Sequence, residues 1–149
     1  MIRNALTFVL LAALLAAPRV QAQGTRLLRH PSVSKDAIAF AYAGDLWVTS
    51  RTGGDARRLT STGDVELEPR FSPDGSQIAF SATTGGNIDV YVVPAAGGDP
   101  RRLTFHPGTD FARGWSPDGK RVICASNRTA QPLGSHSQLY SVSVEGGLP

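Results

Sequence analysis

"FSPDGSQIAF" occupies Phe71 to Phe80, and "WSPDGKRVIC" occupies Trp115 to Cys124, 44 positions further on. Each stretch has an aromatic residue, then Ser-Pro-Asp-Gly, then an alternating apolar run. Pro73 or Pro117 pre-sets φ for a tight turn, Asp is tolerated next, and Gly75 or Gly119 can take positive φ. In "QIAFSA" the side chains of Ile78 and Phe80 point one way, as a half-buried strand requires. A turn and strand repeated at fixed spacing are the mark of a repeated supersecondary unit.

Worked outward, the pattern gives three copies. The first is "HPSVSKDAIAFAYAGDLWVTSRTGGDARRLT" (about 30–60), the second ends in "DPRRLT" (about 66–104), and the third reaches "SQLYSVSVEGGLP" (about 110–149). An aromatic triplet recurs as Asp45-Leu46-Trp47, Asp89-Val90-Tyr91 and Gln138-Leu139-Tyr140, each followed by a Gly-Gly turn. Ser34-Lys35-Asp36 stands in the first copy without Pro or Gly, so its turn must differ.

Each copy reads as four short strands, and four strands at a period near 40 fit a β-propeller blade. A β-sandwich also uses many short strands but does not need near-identical turns at one spacing. The expected fold is therefore all-β: a β-propeller with three four-stranded blades, the third lacking its last strand, of a larger, six-bladed ring. An arc of three blades would leave two faces open to water. The sequence accordingly reads as the front part of a longer protein. Pro100 suits a sheet edge, and Arg57-Arg58 and Arg101-Arg102 read as charges that guard that edge. Cys124 aligns with Phe80 and Phe40, so it reads as a core position between blades rather than a reactive thiol.

Residues 1–22 read as a signal peptide: Arg3, an apolar run from Ala5 to Ala17, the breaker Pro18, and Val20-Gln21-Ala22 before the cleavage site. The run is shorter than the roughly 20 residues that span a bilayer. The expected mature chain is 23–149, exported to the periplasm or secreted, with no membrane span. The full sequence has 15 basic and 12 acidic residues. Arg3 and Arg19 leave with the signal, so the mature net charge is about +1, without the basic patch of a nucleic-acid binder. The single cysteine excludes an internal disulfide.

No G-x-S-x-G elbow, metal-ligand spacing or phosphate loop is present. No catalytic residue, metal or cofactor is expected in this chain. Asp74 and Asp118 read as turn residues, and Asn127-Arg128-Thr129 matches a short glycosylation sequon. Binding residues favour loops on rigid scaffolds. The two blade connectors, "STGDVELEPR" and "FHPGTDFARG", therefore hold the candidates for peptide contact: Glu66, Glu68, Arg70, Asp110 and Arg113, with His106 and Phe111 nearby.

The repeats resemble the Pro-Asp-Gly propeller repeats of TolB and of several exported hydrolases. "LLRHPSVSKDAIAFAYAGDLWVTSRTGGDARRLT", "GWSPDGKRVI" and "QLYSVSVEGGLP" are similar to the opening of the tricorn-like serine peptidases, across residues 27–149. The resemblance implies a propeller that filters or recognises peptides, followed by a PDZ-like module and a serine-dependent catalytic region in the same chain. The partners it implies are peptides or proteins and those downstream domains. A TolB-like interaction propeller without enzymatic activity is the second reading, although TolB-like chains place an α/β domain before the propeller. The propeller of a prolyl-oligopeptidase-type peptidase or of an amidohydrolase is the third.

Overall fold

The computed structural model describes residues 27–129 and 136–147; the expected signal peptide lies outside them. The first sheet contains β1 (Arg29–Val33), β2 (Ala37–Tyr42), β3 (Asp45–Ser50) and β4 (Arg57–Arg58). The second contains β5 (Val65–Phe71), β6 (Gln77–Thr84), β7 (Asn87–Pro94) and β8 (Arg101–Arg102). The third contains β9 (Asp110–Trp115), β10 (Arg121–Ser126) and β11 (Gln138–Ser143). Within each sheet the strands run antiparallel in chain order. Among the described residues no helix is long and apolar enough to cross a membrane. The sheets meet at their first strands, β1 against β5 and β5 against β9, as blades converge on a propeller axis.

The Ser-Pro-Asp-Gly turn is held by its serine. Ser72 Oγ accepts the Gln77 N–H at 3.0 Å and donates to Asp74 Oδ1 at 2.6 Å; Ser116 does the same with Arg121 (2.9 Å) and Asp118 (2.6 Å). Gly75 and Gly119 take φ of 75° and 69°. Hydrogen bonds from Ser72 and Ser76 hold the Asp74 carboxyl down at about 2, where a carboxylate that accepts several donors belongs. In the first blade Ser34 Oγ still accepts the Ala37 N–H at 3.0 Å, but only Lys35 and Asp36 intervene. The serine is common to all three turns, while Pro and Gly belong to the longer form.

Alternation along β6 assigns each side chain to one neighbour. Ile78, Phe80 and Ala82 pack with Val93 against Ala39, Ala41, Leu46 and Leu59 of the first blade. Ala79, Val90, Val92 and Leu103 pack against Ala112, Val122, Cys124 and Val142 of the third. Cys124 is therefore a core residue at a seam, as its alignment implied. Burial pushes its thiol up to about 11, with the Asp110 charge adding to the effect.

The arginine pairs do more specific work than edge protection. Arg58 and Arg102 pair with acids on the third strand of their own blades, Asp45 at 2.8 Å and Asp89 at 2.6 Å. The threonine two residues on completes the clasp: Thr60 Oγ1 accepts the Leu46 N–H at 3.0 Å, and Thr104 Oγ1 accepts the Val90 N–H at 2.9 Å. Arg57 and Arg101 reach the next blade, at Ala95 O (3.0 Å) and Glu145 (4.0 Å). The third sheet has Gln138 where the acid stands. There Arg128 pairs with Asp110 at 2.8 Å and lies 4.7 Å above the Tyr140 ring.

Candidate functional site

Strand side chains alternate between two faces, and here each face belongs to a neighbouring blade. A bulge inserts a residue outside both rows and re-aims its side chain. All three first strands are bulged at the same level. Pairing jumps from Arg29 to Ser32 in β1, from Leu67 to Arg70 in β5, and from Ala112 to Gly114 in β9. His30, Glu68 and Arg113 fall at these shifts, one on each first strand.

Two of these positions have unusual backbones. His30 and Glu68 have φ of 52° and 54°, and each precedes a proline, Pro31 or Pro69. A non-glycine residue in the left-handed region costs on the order of 1–3 kcal/mol, and such residues gather at ligand clamps and active sites. Packing holds the geometry in place. Ser32 Oγ accepts the Phe71 N–H at 3.1 Å, and the Trp115 indole donates to Arg70 O at 2.8 Å. Each contact ties one first strand to the next.

Arg113 Nη1 donates to both oxygens of Glu68 at 2.8 Å, across the seam between the second and third blades. Its guanidinium also lies 5.1 Å from the centre of the Phe111 ring. The arginine side chain is 41% exposed, so the pair contributes about 0–1 kcal/mol to stability. Its groups stay available to another charge.

The five residues expected on connectors all lie in strands, because β5 begins at Val65 and β9 at Asp110. Glu66 is 1% exposed and Asp110 is fully buried. Glu66 accepts hydrogen bonds from Leu46 N (3.0 Å), Thr60 Oγ1 and Thr62 Oγ1 (2.9 Å). Burial raises its pKa against those donors, and the nearby Asp45 charge adds to the rise. Asp110 spends Oδ2 on Arg128, and its Oδ1 finds no partner among the described residues. Both carboxylates work inside the seams, closed to a peptide. Arg70 pairs with Ala79 on the row facing the third blade, and among the described residues no ion pair engages it.

His106 Nδ1 accepts the Gly108 N–H at 2.9 Å, and Asn127 Oδ1 accepts the Thr109 N–H at 2.8 Å. The sequon asparagine thus braces the second connector. His30 is the member of this row that sequence reading missed. The signal was there: His30-Pro31 in the first copy aligns with Glu68-Pro69 in the second. Among the described residues no three His, Cys, Asp or Glu side chains converge on a metal-sized space. What the row can do is bind, offering charges of both signs, Glu68 and Arg113, on adjacent first strands.

Residues 25–149 match the family model of the tricorn protease N-terminal beta propeller domain. The chain belongs to that family. This tricorn-family propeller is 33% identical over 64 residues to "Tricorn protease homolog 1" of Streptomyces coelicolor, covering 43% of this chain and 6% of that relative. The crystal structure of the tricorn protease matches it with a TM-score of 0.69 and 30% identity, over 80% of this chain and 12% of the other. TolB from Acinetobacter baumannii matches with a TM-score of 0.64 and 23% identity, over 81% and 31%. The second likeness speaks to fold alone. The tricorn-family propeller spans a small fraction of the length of these proteins.

Proposed function

We propose that this chain is the N-terminal propeller segment of an exported tricorn-like serine peptidase and that its inner rim recognises or gates peptide substrates. The observation that carries the reading is the triple bulge, which sets His30, Glu68 and Arg113 at one level of three converging strands. Family membership supports it. Arg70 joins the candidate contacts as a cation with no ion pair among the described residues. Hydrolysis belongs to the catalytic region outside this chain, and export to the signal at residues 1–22.

The test is peptide turnover by the intact protein carrying Arg113→Ala. Recognition at the rim predicts a fall of about tenfold in kcat/KM, the loss of one charge-assisted hydrogen-bonding partner. Unchanged kinetics would remove the rim from the mechanism. An intact protein that binds partners but cleaves no peptide would favour the TolB-like reading. N-terminal sequencing of the secreted form should start at Gln23.

A further inference from the structure

The Ser-Pro-Asp-Gly turns of the second and third blades stack on one another. A methyl group on Gly119 would lie 3.7 Å from the Pro73 ring, so the two turns are in near contact there. Beside that contact a cavity of about 190 Å³ opens, lined by Ser72, Pro73, Asp74 and Gln77 of one blade and by Pro117 and Asp118 of the other.

Three of the lining groups keep accepting capacity. Asp118 spends Oδ1 on the Ser116 hydroxyl (2.6 Å) and the Lys120 N–H (3.0 Å), and its Oδ2 accepts nothing among the described residues. Asp74 Oδ2 accepts the Ser76 hydroxyl at 2.7 Å, which leaves one of its two lone pairs. Gln77 stands on the row of Ala79, which faces the third blade. Its Oε1 is buried and meets no donor among the described residues. Both aspartates are exposed, and among the described residues no ion pair engages either.

At the first seam the same places are filled otherwise. Ala37 stands where Gln77 does, Lys35 follows the turn serine in place of a proline, and the Arg51 guanidinium lies on Lys35 O at 3.3 Å.

From this we infer that the cavity between the second and third turns is a docking point for an arginine side chain on a partner protein. A guanidinium has five N–H donors in one plane and no acceptor, which suits walls whose unused groups accept. Asp118 Oδ2 takes one edge of the fork and Gln77 Oε1 another, while the proline rings flank the stem. The compact ammonium of a lysine reaches fewer of these acceptors at once. A metal ion does not fit, because among the described residues no three His, Cys, Asp or Glu side chains converge. Lys120 is the cation of this chain that competes for Asp118, and it forms no ion pair with it. The site shares no residue with the bulge row and stands whether or not that row recognises peptides.

The experiment is fluorescence anisotropy on the intact protein. Its probes are labelled Gly-Gly-Arg-Gly-Gly, acetylated and amidated, and the same peptide with lysine or citrulline at the centre; citrulline keeps the shape of arginine and loses its charge. The arginine peptide should bind about tenfold more tightly than the citrulline peptide, the size of a charge-assisted hydrogen bond. Asp118→Asn keeps an acceptor for the turn and should remove that advantage. Gln77→Met keeps the side-chain length without the amide acceptor and should weaken the arginine peptide about three- to tenfold. Equal binding of the arginine and citrulline peptides overturns the site. So does a loss in Asp118→Asn with none in Gln77→Met, which marks diffuse surface charge, and so does lysine binding as tightly as arginine. None of these outcomes bears on turnover by Arg113→Ala, which tests the rim separately.

Discussion

Glu66 in the second blade accepts the backbone N–H of Leu46 in the first at 3.0 Å, so a strand of one blade is completed by a carboxylate of the next. The bond makes the seam polar at its upper end and apolar below, where Leu46 joins Phe80.

Glu66→Ala should destabilise the protein by about 1–3 kcal/mol, because buried donors lose an acceptor that water cannot replace. Burial raises the Glu66 pKa above 4.5 in the folded state. The stability it contributes is full below the unfolded value and is lost as pH rises through the folded one. Urea melts of wild type and Glu66→Gln across acid to neutral pH should show the wild type losing ground to the glutamine variant as pH increases.

Asp74 carries the opposite sign. Its folded value of about 2 lies below the ordinary 3.8, so its contribution is present above 3.8 and lost as pH falls towards 2. Ser72→Ala removes the hydroxyl donor, and the Asp74 carboxyl resonance should then titrate closer to 3.8 in an NMR titration.

The two clasps should differ in strength. Asp89 is fully buried opposite Arg102, whereas the Asp45 partner, Arg58, is 48% exposed. Arg102→Ala strands a buried charge and should cost about 3–5 kcal/mol. Arg58→Ala should cost at most about 1 kcal/mol. Urea midpoints of the two variants test the order, and equal shifts would contradict it.

Cys124 should be inert in the native state, being buried with its thiol pushed to about 11, since the thiolate is the reacting form. Its labelling by an aromatic disulfide reagent should follow global unfolding. Phe80→Ala, at the other seam, should cost about 3–5 kcal/mol by the cavity it opens, read from the same melts.

The repeat was legible because turn chemistry is local. Ser-Pro-Asp-Gly states its own geometry, and the alternation in "QIAFSA" states which residues are buried. The seam partners were not legible. Whether Glu66 meets solvent or Leu46 depends on how two blades dock, and no spacing within one blade encodes that. The arginine pairs looked like edge charges because their partners are distant in sequence: Asp45, 13 residues away in the same blade, and Ala95, 38 residues away in the next. The bulges lay between. A residue before proline at the same place in two copies was visible, but its left-handed backbone emerges only from sheet register.

The alternation in β6 also limits how such a unit can change. Ala79 serves one neighbour and Phe80 the other, and a one-residue slip in a strand exchanges its two faces. A single inserted codon there would press a phenylalanine into the seam shaped for alanine and leave a void in the one shaped for phenylalanine. Length inside the strand is therefore intolerant to change, whereas the turn after β1 already exists in two lengths. Insertions should accumulate at the blade ends, and whole blades, with both faces intact, are the pieces that duplication can add.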